Sequence, residues 1–114
     1  MTAITTHVLD TSRGHPAVGV PVTLEMHLPD ESWKRLSGGV TDGDGRLKFV
    51  LPPGFVLQKG AYRLIFDTAA YHRTMETDGL YPQVTIAFVV RDPAQHFHIP
   101  LLLSPHGYTT YRGS

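Results

Sequence analysis

Side chains alternate between apolar and polar along most of this chain, and Gly, Pro and Asp break the alternation at short intervals. Val20, Val22, Leu24, Met26 and Leu28 alternate with Pro21, Thr23, Glu25 and His27. A period of two sorts these residues onto opposite faces of a half-buried strand, which a helix of 3.6 residues per turn does not do. Val84, Ile86, Phe88 and Val90 repeat the pattern against Thr85, Ala87, Val89 and Arg91. Further strands are predicted over 4–11, 33–37, 47–51, 61–67 and 96–104, with another in the Tyr- and Thr-rich tail 107–112. Turn signals separate them: Arg13-Gly14, Pro29-Asp30, the run from Asp42 to Gly45, Pro52-Pro53-Gly54 and Asp92-Pro93. One segment reads as helix, with Thr68 as its cap, residues 69–76 as its body, and Gly79 and Pro82 closing it. Many short strands with one short helix predict an all-β fold, a two-sheet β-sandwich. Open sheet edges invite pairing, so a homo-oligomer is expected from the architecture.

The chain has 114 residues, the size of a single domain over 1–114. Ten Lys and Arg balance ten Asp and Glu, which removes the attraction that drives most nucleic-acid binding. No apolar run approaches the ~18 residues of a membrane span, and no basic-then-apolar leader pattern is visible in Met1 to Asp10, so a cytoplasmic protein is expected. With no cysteine, disulfides, thiolate catalysis and Cys-based zinc sites are excluded. Seven histidines direct the search for chemistry, because they exchange protons near neutral pH.

Two of them share a predicted strand. In 96–104 alternation sends Phe97, Ile99, Leu101 and Leu103 inward, and His96, His98, Pro100 and Leu102 outward. The imidazoles of His96 and His98 are then about 6–7 Å apart along one face. Three readings stay open: a solvated pair, two metal ligands needing a third from His7, His15, His72 or His106, or an acid–base pair acting on water. His7 shares a face with Leu9, opposite Thr6, Val8 and Asp10, which marks no clean core side.

The run from Thr41 to Arg46 fails as a calcium loop, because Arg46 falls on an expected acidic position and Pro53 on the twelfth. It reads instead as a tight hairpin, with Gly43 and Gly45 free to take positive φ. The tail through Tyr111, Arg112, Gly113 and Ser114 is aromatic and strand-like, which argues for docking. A docked tail is expected to carry the Tyr111 hydroxyl, the Arg112 guanidinium and the Ser114 carboxylate into one place. No Gly-x-Ser-x-Gly elbow and no phosphate-binding glycine loop is present.

Together these fragments resemble the 5-hydroxyisourate hydrolase branch of the transthyretin-like family. The matching pieces are His7-Val8-Leu9-Asp10 with Gly14 and Pro16-Ala17, then Thr41 to Arg46, then His96 to Pro105, and the closing Tyr111-Arg112-Gly113-Ser114. Phe97, Ile99, Tyr81 and His106 depart mildly from the family's pattern. The resemblance implies a transthyretin-like sandwich of about eight strands with one short α-helix. It also implies a homotetramer with active sites at the dimer–dimer interface. The implied activity is hydrolytic opening of the lactam ring of 5-hydroxyisourate, a purine-derived small molecule of urate degradation. The implied product is 2-oxo-4-hydroxy-4-carboxy-5-ureidoimidazoline. No cofactor or metal is implied. Carried over as catalytic are His7, Arg46 and His98, and as substrate-binding Tyr111, Arg112, Gly113 and Ser114. His96 joins them as a neighbour on the face of His98. A non-catalytic small-ligand carrier of the same fold is the alternative.

Overall fold

The computed structural model describes residues 3–114. In chain order the elements are β1 (Ile4–Asp10), β2 (His15–Pro16), β3 (Pro21–His27), β4 (Trp33–Val40), β5 (Arg46–Lys48), β6 (Gly60–Phe66), α1 (Thr68–Thr74), β7 (Val84–Val90), β8 (Phe97–Ser104) and β9 (Gly107–Thr110). One sheet runs β2-β1-β8-β9, with β5 also paired to β1, and the other runs β4-β3-β6-β7. The expected all-β sandwich with one short helix is what forms, with the two-residue β2 as an added strand.

Alternation builds the core. Ile4, Val8, Leu101 and Leu103 from the first sheet meet Val22, Leu24, Leu64, Phe66 and Val84 from the second, all fully or nearly fully buried. Each such side chain contributes about 1.5–3 kcal/mol by leaving water. The pattern lapses in β4, where Leu36 and Ser37 are both buried. A register shift between Leu24 and Glu25 leaves Leu36 as an extra residue opposite β3, a bulge that resets the faces.

Several local expectations need correction. The helix cap is Asp67, whose side chain accepts from Ala70 N at 3.0 Å. Thr68 is buried inside the first turn and its hydroxyl donates to Tyr81 O, so it cannot cap. The helix stops at Thr74, where Glu76 turns to φ 52° and Thr77 N bonds back to His72 O. Residues 41–46 make no hairpin, because β4 and β5 belong to different sheets and the turn passes the chain between them. Gly45 alone of its two glycines takes positive φ, 75°, and a Cβ there would stand 2.5 Å from Val8 O. The strand predicted over 47–51 shortens to β5, and the tail strand ends at Thr110.

Candidate active site

Register places the site. β1 and β8 run parallel with Thr5 beside His98 and His7 beside Pro100, while β5 sets Lys48 beside Thr5 and Arg46 beside His7. Adjacent strands lie about 4.8 Å apart, so two rows of side chains cross the outer face of this sheet. One row is Lys48, Thr5, His98; the next is Arg46, His7, Pro100. The inner face of β1 carries Ile4, Thr6, Val8 and Asp10, all buried. That resolves His7 onto the outer face: Thr6 and Asp10 are tolerated inside because each is hydrogen-bonded. Thr6 donates to Ile99 O at 2.6 Å, and Asp10 accepts from the Tyr71 hydroxyl at 2.6 Å.

Thr5, Thr6, Arg46, Leu47, Lys48, His96, His98 and Ser114 line a cavity of about 390 Å³ on this face. His98 Nδ1 lies 2.7 Å from Thr5 Oγ1, and His96 Nε2 lies 3.2 Å from the same oxygen. Burial, then the charges of Arg46, His7 and His96, hold the His98 pKa below the ordinary histidine value of 6.5. His98 is therefore neutral at neutral pH, the form that accepts a proton. His7 stands next to the cavity without lining it, and its Nε2–H donates to Asp44 O at 2.9 Å. Asp42 Oδ1 accepts from Asp44 N and Arg46 N, which fixes the turn that delivers Arg46. The guanidinium itself stays exposed at the cavity's edge.

The tail docks, but divides its residues. Gly113 N donates to His98 O at 2.8 Å, and the Gly113–His98 bridge keeps the register of the β8–β9 ladder. Between these points the ladder lapses beside Pro100, which has no N–H to give. Pro100 faces outward as expected, beside His7, but is buried there under the tail. Ser114 reaches the cavity, whereas Tyr111 and Arg112 line a second groove with Ile86, Phe88 and Phe97. The expected gathering of Tyr111, Arg112 and Ser114 in one place does not occur within this chain. Arg112 instead bonds Gln95 Oε1 and His96 O, and lies over the Phe97 ring at 4.6 Å.

His15, His72 and His106 do not line the cavity. Among the described residues no three His, Asp or Glu side chains form a metal-binding group. Thr5, Thr6, Leu47 and Lys48 line the cavity without having been singled out from the sequence. Thr5 sits two before His7 and Lys48 two after Arg46, the strand spacing that shares a face. Among the described residues no helix is long and apolar enough to cross a membrane.

Comparison with known proteins is consistent along the whole chain. The profile described as HIUase/Transthyretin family matches residues 4–113. A 5-hydroxyisourate hydrolase from Mus musculus is 43% identical over 112 residues, covering 97% of this chain and 94% of that protein. Among solved structures, Klebsiella pneumoniae 5-hydroxyisourate hydrolase superposes with a TM-score of 0.83 at 34% identity, covering 100% of this chain and 94% of that one. Transthyretin from Sparus aurata superposes with a TM-score of 0.90 at 28% identity, covering 99% and 97%.

Proposed function

We infer the activity from the premise that this chain belongs to the HIUase/Transthyretin family: it is a hydrolase that opens the lactam ring of 5-hydroxyisourate in urate degradation. The observation that carries the enzymatic reading is a neutral, half-buried His98 beside Arg46 and Lys48 in one cavity. In the proposed mechanism His98 takes a proton from water as the water attacks the C6 carbonyl. Positioned acid–base catalysis of this kind contributes about 10²–10⁴-fold. Arg46 offers a planar fork to the polar edge of the substrate and stabilises the oxyanion as it develops. His7, tied to the Asp44 carbonyl, brackets the water from the adjoining row. The C–N bond then breaks, and the ring nitrogen leaves with the proton that His98 carried.

Ser114 shapes the cavity wall in this reading. Tyr111 and Arg112 serve it by anchoring the tail that seats Gly113 against His98, which the Arg112 contacts support. Residues 1–114 act as one hydrolase domain on a small molecule. The proposal extends to a homotetramer with its sites at the dimer–dimer interface. Support comes from the site's place on an outward sheet face and from β7 and β9, each at a sheet edge with backbone groups open to pairing.

A carrier reading draws on the likeness to Sparus aurata transthyretin. The lining by Arg46, Lys48, His96 and His98 speaks against an apolar ligand there. Ultraviolet absorbance of freshly generated 5-hydroxyisourate separates the two. Accelerated decay with catalytic amounts of protein is expected, and binding without turnover would favour the carrier.

A further inference from the structure

Thr5 Oγ1 has an imidazole nitrogen on either side, His98 Nδ1 at 2.7 Å and His96 Nε2 at 3.2 Å. A threonine hydroxyl has one proton to donate. When it bridges both rings it donates to one and accepts from the other, so the two tautomers are locked together. The His98 ring stands upright between β1 and the tail. Its Nδ1 faces Thr5, and its Cδ2 faces Gly113, where a Cβ would come within 2.5 Å. The remaining Cε1–Nε2 edge therefore points away from the sheet, into the cavity. The groups facing this ring are His7 from β1, Arg46 and Lys48 from β5, His96 from the residue just before β8, and Ser114 from the tail. Positive charge from Arg46 and Lys48 favours a lone pair over an N–H at the cavity-facing nitrogen.

We propose that Thr5 is a positioning residue that holds His98 as the Nδ1–H tautomer and relays its proton to His96. Thr5 accepts from His98 Nδ1–H and donates to His96 Nε2, which leaves His98 Nε2 unprotonated toward the substrate. When Nε2 takes the proton of the attacking water, the Nδ1 proton passes to Thr5 Oγ1 and the Thr5 proton passes to His96 Nε2. His98 is then neutral with its proton on Nε2, ready to give it to the leaving nitrogen. As it does, His96 returns its proton through Thr5 and restores the first tautomer. No atom or electron is gained or lost over the cycle. The relay moves charge from half-buried His98, where burial and neighbouring cations oppose it, to exposed His96.

The catalytic half of this proposal rests on the hydrolase reading, whereas the tautomer half does not. Long-range ¹⁵N–¹H correlation spectra of the full chain report the tautomer directly. The wild type is expected to show His98 protonated at Nδ1, Thr5→Val to lose that preference, and Thr5→Ser to keep it. In turnover, Thr5→Val is expected to lower kcat on the order of 10²-fold, the low end of the acid–base contribution. Its KM should stay near wild type and the acid limb of its pH profile should move, while Thr5→Ser restores both. His98 protonated at Nε2 in the wild type would overturn the relay, as would a Thr5→Val enzyme with unchanged kcat and pH profile. If the wild type fails to turn over 5-hydroxyisourate, the hydrolase reading falls and the spectra still decide the tautomer.

Discussion

The imidazole of His98 has little room to move: Thr5 holds one edge and Gly113 closes on the other. Its neutral form is the working one, and its pKa lies below 6.5, so kcat/KM should stay level through neutral pH. Activity should fall only as the pH drops through that depressed value, which a pH–rate profile measures. An acid limb above 6.5 would mean that another group titrates. Gly113→Ala brings a methyl carbon within 2.5 Å of His98 Cδ2, so the ring must shift. A displacement of that kind is expected to cost up to about 10²-fold in kcat, with circular dichroism unchanged. The outward place of His98 was legible from alternation alone. Thr5 was not, because its role comes from a parallel pairing across 93 positions of sequence. Tyr111 and Arg112 misled for a related reason, since proximity along the tail does not reveal which groove each side chain enters.

At the level of elements, α1 is tied to the sheet by polar contacts that period-two reasoning does not reach. Burial opposes the charge on Asp10, yet the Tyr71 hydroxyl, Ser12 and Arg13 outweigh it and hold its carboxyl below the usual carboxylate range. Tyr71→Phe removes the 2.6 Å bond to this buried group and is expected to destabilise the fold by about 1.5–3 kcal/mol, read by urea denaturation. His72, buried in the same helix, has its pKa lowered first of all by burial. The unfolded chain binds its proton more readily, so the stability it contributes is complete above 6.5. That contribution is lost as the pH falls from there through the folded value. His72→Gln should flatten this part of the stability profile; an unchanged slope would remove His72 as its source. The helix was visible in sequence, but its cap shifted to Asp67 because tertiary packing claims the Thr68 hydroxyl.

Across the whole molecule, alternation and turn chemistry carried the two-sheet architecture, since inward and outward residues sort themselves strand by strand. Subunit number has no such local signature. Exposed Val89 and Tyr111, on or beside the β7 and β9 edges, are consistent with surfaces that pair between chains. Sedimentation velocity is expected to give a species of four times the 12.6 kDa chain mass, and a monomer at micromolar concentration would refute the tetramer. We propose that this protein hydrolyses 5-hydroxyisourate through the cavity that holds His98 and Arg46. The most direct measurement follows the absorbance of freshly generated 5-hydroxyisourate with wild type, His98→Ala and Arg46→Ala side by side. Decay far above the spontaneous rate is expected for wild type, with a loss of about 10²–10⁴-fold for His98→Ala and a marked loss for Arg46→Ala. Wild-type decay no faster than the spontaneous rate, or variants that match a fast wild type, would contradict the proposal.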